Sequence, residues 1–225
     1  MQRPTDRLRI FAAVAALLGW LTLALQLVLT IQTSIANGQD GWSGVWVYLG
    51  YFTILTNGLV ALVLTAEACR WRGAVGRFLV RADVQAATAM NIVIVALVYN
   101  LMLRQLWQPH GWRAVADNLL HVAMPALFLL HWWRAVPKAT LRWPQAFAWQ
   151  GYPAAYFVYV LLRGAVDGRY PYPFVNVASL GYLRVLGNAC VMLLAFVVVA
   201  LVLIALGRWQ ALRSAQARAA RPGRT

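Results

Sequence analysis

Residues 185–206 read VLGNACVMLLAFVVVALVLIAL, a run of 22 residues without a charged side chain. A helix rises ~1.5 Å per residue, so this run is long enough to cross the hydrocarbon core of a bilayer. Similar windows recur along the chain, although the fifth is short and rich in Tyr. The sequence therefore predicts an all-α integral membrane protein, a six-transmembrane-helix bundle with spans at about 9–31, 44–66, 84–105, 114–134, 146–163 and 185–206.

The composition supports this class. Of the 225 residues, 62% are hydrophobic and 12% are charged, which excludes a soluble domain and a disordered chain. Residues 9–31 follow a basic start, but the apolar run is longer than that of a signal peptide and five further spans follow. We therefore predict a retained first helix, a single transmembrane domain over residues 1–207 and a basic tail over 208–225.

The basic residues predict the orientation. The formal net charge is +14, and fifteen of the twenty Lys and Arg residues fall on one face of the six-span arrangement. Because a cytoplasmic excess of these residues sets topology, both termini are predicted to be cytoplasmic. The basic tail is predicted to contact anionic lipid headgroups rather than nucleic acid.

Two polar residues lie deep in apolar segments, Thr53 in YFTILTN and His121 in DNLLHVAMP. Counted from Gly44 and Ala114, they lie about 14 Å and 10 Å into their helices at ~1.5 Å per residue. The same depth allows them to face each other as a nucleophile and its base. A Thr in a membrane helix also commonly bonds to its own backbone, which is the alternative for Thr53.

Neighbouring polar residues share helix faces with this pair. Asp117 is four residues before His121 and is predicted to hold the imidazole in one tautomer. Asn57 and Asn118 are candidate donors to an oxyanion, although Asn57 could instead join helices. Asp117 could also be a solvated residue at the outer boundary. His131, in HWWR, is predicted to lie at the inner interface.

Further polar residues are predicted to line the same cavity. Three arginines fall near the outer ends of spans and could bind a substrate carboxylate or lipid phosphates. The loop 164–184 is rich in aromatics and prolines, and could be a lid or an interfacial belt. The carboxylate candidates are Arg104, Arg163 and Arg184, and the cavity-lining candidates are Asn100, Tyr156, Tyr159 and Asn188. No metal spacing, cofactor motif or disulfide is predicted.

The chain resembles bacterial relatives of the androgen-induced gene one family, six-span integral membrane proteins that also occur in animals. The resemblance covers most of the chain by span count and order. It is carried by YFTILTN, by the His of DNLLHVAMP and by RYPYPFVN before span six. The animal members hydrolyse fatty acid esters of hydroxy fatty acids with an intramembrane Thr and His. The resemblance implies that Thr53, rather than Thr56, and His121 hold these roles, in a bacterial inner membrane.

The preferred prediction is thus an intramembrane lipid ester hydrolase with Thr53 as nucleophile and His121 as base. Its expected partners are a lipid substrate with an acyl chain and the membrane lipids. One rival is a proton-linked transporter, since buried Asp, His and Arg mark such pathways, although no span is obviously interrupted by paired Gly and Pro. A non-catalytic lipid-binding protein is the other rival.

Overall fold

The computed structural model describes residues 4–219, and the prediction of an all-helical protein is confirmed, with no strand in that range. The α-helices are α1 (Pro4–Ala36), α2 (Gly41–Leu49), α3 (Phe52–Cys69), α4 (Ala74–Leu79), α5 (Ala82–Val98), α6 (Trp112–Asn118), α7 (Met124–Ala135), α8 (Gln145–Ala148), α9 (Gly151–Asp167) and α10 (Val177–Ala219). Short π-helical turns follow α5 and α6, at Tyr99–Leu103 and Leu119–Ala123.

Five helical stretches are long and apolar enough to cross a membrane: Asp6–Ala36, Phe52–Cys69, Ala82–Leu106, Trp112–Ala135 and Val177–Ala217. They correspond to five of the six predicted spans. The predicted span 146–163 instead comprises the short α8 and the 17-residue α9, separated at Trp149 and Gln150. The end of the bundle that holds the α1–α2 connection is called the outer end below.

The predicted continuous helix 44–66 is interrupted. Helix α2 ends at Leu49 and α3 begins at Phe52, with Gly50 and Tyr51 between them. Gly50 fits because a Cβ there would lie 2.8 Å from the Arg163 guanidinium. The interruption places the first turn of α3, which contains Thr53, inside the bundle instead of in the middle of a longer helix.

The core lies between the long helices. Leu64 of α3, Met90 of α5, Phe128 of α7 and Ile204 of α10 are all fully buried there. Burial of such side chains defines the interior of the bundle, while the outward faces of α1 and α10 expose Leu and Val side chains, as lipid contact requires.

The inner end is fixed by polar side chains that bond to helix carbonyls. Arg9 Nε donates to the carbonyl of Ala68 at 2.6 Å, joining α1 to the end of α3. Lys138 Nζ donates to the carbonyls of Trp132, Trp133 and Val136 at 2.6–3.0 Å, which satisfies the last turn of α7.

The prediction that His131 lies at the inner interface is wrong. It is 1% exposed, and its Nε2 lies 3.1 Å from Gln85 Oε1 in the interior. The predicted boundary at residue 207 is not a helix end, because α10 continues to Ala219. The rest of the predicted basic tail, including Arg221 and Arg224, and Arg3 at the start of the chain lie outside the described residues.

Candidate functional site

Two cavities meet beside the first turn of α3. The polar cavity has a volume of about 490 Å³ and extends to Asn37 and Gln39 in the α1–α2 connection at the outer end. The apolar cavity, about 250 Å³, lies between α3, α5, α9 and α10 and is lined almost entirely by hydrocarbon and aromatic side chains. The residues that line both cavities are Thr53, Tyr99, Leu103 and Tyr172.

Thr53 lies at this shared wall. It is the second residue of α3 and is partly buried, and its backbone N–H donates to the Tyr172 hydroxyl at 3.4 Å. His121 lines the polar cavity together with Thr53, but the two side chains make no direct hydrogen bond. The structure therefore brings the predicted pair to one cavity without placing them in contact.

The imidazole of His121 is held on two sides. Its Nδ1 lies 2.9 Å from the carbonyl of Asp117 and 3.3 Å from the carboxylate Oδ1 of the same residue. A carbonyl can only accept, so Nδ1 carries a proton, and in the neutral imidazole the lone pair is then on Nε2. The hydrogen bond to Nδ1 is thus made by the backbone carbonyl of Asp117, and its carboxylate Oδ1 lies close by without a hydrogen-bond partner among the described residues. The ring also stacks on Tyr99, with centroids 3.5 Å apart and planes at 12°.

Pro125 explains the roles of two asparagines. It has no N–H to give to the carbonyls of the preceding turn, and a π-helical turn occupies Leu119–Ala123 just before it. Asn57 Nδ2 donates to the carbonyl of Leu120 at 3.3 Å, and Asn100 Nδ2 donates to that of His121 at 3.2 Å. Two side chains from other spans therefore satisfy carbonyls that the distorted turn leaves available.

These bonds change what the asparagines can do. Asn57 Nδ2 also donates to the carbonyl of Thr53 at 2.9 Å, so both of its N–H groups are engaged and neither is free for an oxyanion. Asn118 is exposed, donates to Ala114 and accepts from Arg104, and it lines neither cavity. Asn100 supports the turn at His121 instead of lining a cavity.

Three polar side chains of α9 donate hydrogen bonds to backbone carbonyls at the interruption between α2 and α3. Tyr156 Oη donates to the carbonyl of Gly50 at 2.9 Å, and Tyr159 Oη donates to that of Leu49 at 3.3 Å. Arg163 Nη2 donates to the carbonyl of Trp46 at 2.6 Å, and the guanidinium lies 4.0 Å from the Trp46 ring. These are the carbonyls that the end of α2 leaves without helical partners. Of these three side chains, only that of Tyr156 lines a cavity, the apolar one.

The three predicted carboxylate-binding arginines are not brought together. Arg104 bonds to Asn100 and Asn118, Arg163 is buried against α2, and Arg184 is exposed on α10. None of them lines either cavity. Asn188 holds the loop before α10 by donating to the carbonyl of Phe174 at 2.9 Å.

Comparison of the chain with protein-family models, with curated proteins and with solved structures finds no match. Within residues 4–219, no group of three or more His, Cys, Asp or Glu residues is arranged to hold a metal ion.

Three functional candidates were missed by the sequence reasoning. Arg113 lines the polar cavity and donates to Thr33 Oγ1 at 2.9 Å. Its spacing of four residues from Asp117, and of eight from His121, is a signal that could have found it. Tyr99 had no such signal, because its position depends on a π-helical turn. Tyr172 belongs to the RYPYPFVN motif and to the loop 164–184, but its place beside Thr53 depends on the return path of that loop.

Proposed function

We propose that the protein is an intramembrane lipid ester hydrolase with Thr53 as nucleophile and His121 as base. The observation that carries this proposal is the position of Thr53 on the wall between a polar and an apolar cavity, with His121 on the polar side. A lipid ester is likewise divided into an apolar and a more polar part, and the two parts meet at the reacting carbonyl.

The chemistry would follow the nucleophile–base scheme. His121 Nε2 removes the proton from Thr53 Oγ1 as that oxygen attacks the ester carbonyl carbon. The tetrahedral intermediate then breaks its bond to the leaving oxygen, which takes the proton from His121, and an acyl-threonine remains. In the second half, His121 Nε2 takes a proton from a water molecule as its oxygen attacks the acyl carbonyl carbon. The bond from that carbon to Thr53 Oγ1 then breaks, Oγ1 takes the proton back from His121, and the fatty acid is released. The other proton stays on Nδ1, which donates a hydrogen bond to the Asp117 carbonyl throughout.

The two cavities suggest how the substrate is bound. An acyl chain fits the apolar cavity between α9 and α10, which the side chains of Tyr156 and Phe196 help to line. The polar portion fits the other cavity, where Arg113 is the cation that can meet a carboxylate. The resemblance to the androgen-induced gene one family supports fatty acid esters of hydroxy fatty acids, or similar lipids, as the substrate class.

We also propose a sixth crossing, made by α8 and α9 together. Leu141 lies at the inner end, where it contacts Gly207 and accepts a hydrogen bond from Arg208 at 3.3 Å. At the other end of this segment, Asp167 accepts a hydrogen bond from Trp46 Nε1 at 2.6 Å. The chain between these residues therefore covers the depth of the bundle, which supports six spans and, by the distribution of Lys and Arg, cytoplasmic termini. Single cysteines placed at the exposed positions 140 and 169, on either side of α8 and α9, in a variant without Cys69 and Cys190, should react with an impermeant maleimide from opposite sides of the membrane.

The hydrolase is tested with purified protein in detergent and a fluorophosphonate probe that labels activated hydroxyl nucleophiles. We expect wild-type labelling to be lost in Thr53→Ala and His121→Ala. Thr56→Ala is the matched control, because Thr56 is three residues away, buried, and bonded to Tyr152 Oη at 3.3 Å outside both cavities. Turnover of a lipid ester by Thr53→Ala at the wild-type rate would overturn the proposal.

A carrier of small molecules is the second candidate, and the interrupted helices favour it. Carrier sites often lie where membrane helices are discontinuous. Here α2 and α3 are separated at Gly50, and two π-helical turns face each other at Tyr99 and His121. The sequence has no span interrupted by paired Gly and Pro, and the interruption at Gly50 and Tyr51 contains no proline. Proton flux into liposomes that depends on an added substrate, and is lost in His121→Ala, would favour the carrier over the hydrolase.

A further inference from the structure

The loop between α9 and α10 returns to the wall between the two cavities. Residues 168–176 carry Tyr172, whose ring packs edge-on against Tyr51 at 5.8 Å and stacks on Phe174 at 5.2 Å with planes 3° apart. The loop is anchored at both ends. Gly164 leaves space for the Tyr170 ring, and Asn188 donates to the carbonyl of Phe174. The position of the Tyr172 ring is therefore fixed by packing and by the backbone.

The hydroxyl of Tyr172 lies beside the proposed nucleophile. It accepts the backbone N–H of Thr53 at 3.4 Å, and no described residue accepts its own proton. Burial raises the pKa of Tyr172 to about 12, so the hydroxyl keeps that proton at neutral pH. Tyr172 thus offers a neutral hydrogen-bond donor at the junction of both cavities.

Other donors near Thr53 are already engaged. The backbone N–H groups of Ile54 and Leu55 donate to the carbonyl of Tyr51 at 3.1 and 3.2 Å. Both side-chain N–H groups of Asn57 donate to carbonyls. A hydrolase that forms a tetrahedral intermediate needs a donor for the developing oxyanion, and the donor must be in place before the reaction.

We propose that the Tyr172 hydroxyl is the oxyanion donor of this site, a role that rests on the proposed hydrolase function. As Thr53 Oγ1 adds to the carbonyl carbon, the carbonyl π electrons move to its oxygen, and Tyr172 donates a hydrogen bond to that oxygen without transferring its proton. When the intermediate collapses, the electron pair returns to the carbonyl and the alcohol leaves with the proton from His121. Tyr172 is unchanged at the end of each step.

The test is Tyr172→Phe, which keeps the ring and its packing but removes the hydroxyl. With a long-chain lipid ester that the wild type hydrolyses, kcat should fall by ~10²–10³, the usual effect of removing one oxyanion donor, while KM stays near the wild-type value. Tyr170→Phe is the matched control, since Tyr170 lies in the same loop, lines neither cavity and keeps its ring contact with Gly164. Its kcat should remain close to that of the wild type.

A transition-state analogue separates catalysis from structure. A long-chain trifluoromethyl ketone adds to the Thr53 oxygen and forms an oxyanion, so its inhibition constant should rise in Tyr172→Phe by about the same factor as kcat falls. An unchanged kcat in a folded Tyr172→Phe variant overturns the role of Tyr172 alone. Absence of ester hydrolysis by the wild type overturns the hydrolase function and this role with it.

Discussion

The rings of Tyr99 and His121 stack face to face, with centroids 3.5 Å apart and planes only 12° from parallel. Each residue lies in or at the start of a π-helical turn, and the two turns belong to neighbouring spans. Trp107 Nε1 donates to the Tyr99 hydroxyl at 3.1 Å, which fixes the second ring in turn. The imidazole is thus held by a ring on its face and by Asp117 at Nδ1.

Removing the stacked ring should reduce the reactivity of Thr53. In Tyr99→Leu the imidazole loses its support, and misplacement of a base by about 1 Å can cost ~10²-fold in rate. We expect the rate of fluorophosphonate labelling to fall by about 10- to 100-fold, whereas Tyr99→Phe, which keeps the stack, should label at nearly the wild-type rate. Equal labelling of the Leu and Phe variants would show that the stack does not position the base.

A second prediction concerns Pro125 and the asparagine that satisfies the preceding turn. Asn100→Leu leaves the carbonyl of His121 without its side-chain donor. It should lower the free energy of unfolding by ~0.6–1.7 kcal/mol, from the average to the largest value measured for hydrogen bonds between membrane helices. In a Pro125→Ala background, Asn100→Leu should lower the free energy of unfolding by less. The backbone N–H at position 125 can then donate to the carbonyl of His121. The measurement is a double-mutant cycle by unfolding in mixed micelles.

Asn91 provides the control for this cycle. It is buried on the same helix, α5, and its Nδ2 donates only to the carbonyl of Ala87 at 2.8 Å. The cost of Asn91→Leu should therefore be the same with and without Pro125→Ala. A cost of Asn100→Leu that is likewise independent of Pro125→Ala would contradict the link between the proline and Asn100.

The sequence predicted the class of fold because that class depends on apolar length alone. Residues 185–206 and four similar runs are long enough to cross a bilayer whatever they pack against. The interruption at Gly50 was not predictable in the same way. It depends on Arg163 and Tyr156, which are more than 100 residues away and supply bonds that a helix would otherwise make internally.

In the candidate site, too, local patterns were predictable from the sequence and contacts between distant segments were not. Thr53 and His121 could be selected because polar residues are costly in an apolar span, and the four-residue spacing of Asp117 from His121 is a local pattern. The depth estimate assumed a continuous helix from Gly44, which the structure does not have. Asn57 was open to two interpretations, a donor for an oxyanion or a link between helices. Its bond to the carbonyl of Leu120 makes it a link between helices, with a partner set by the turn before Pro125.

The third prediction concerns the interrupted second span. Arg163→Met removes the donor to the carbonyl of Trp46 and the contact with the Trp46 ring. A hydrogen bond to a charged group contributes ~1.5–3 kcal/mol, so we expect the free energy of unfolding in mixed micelles to fall by about that amount. Arg184→Met is the control, because Arg184 is exposed and bonds to no described residue, and its stability should equal that of the wild type. A similar loss in both variants would mean that any arginine of the outer end matters equally.

The last prediction concerns the cation of the polar cavity. Arg113 donates to Thr33 through Nη2, and its other N–H groups have no partner among the described residues, so they are available to a carboxylate in the cavity. Arg113→Gln should raise KM about tenfold for a lipid ester with a free carboxylate, since the lost bond to a charged group is worth ~1.5 kcal/mol or more. The methyl ester of the same substrate carries no charge, and its KM should be the same in both proteins. Arg104→Gln should change neither KM, because Arg104 is bonded to Asn100 and Asn118 outside the cavities. If Arg104→Gln rather than Arg113→Gln raised KM for the carboxylate substrate alone, the anion would bind at the rim of the bundle and not in the cavity that contains His121.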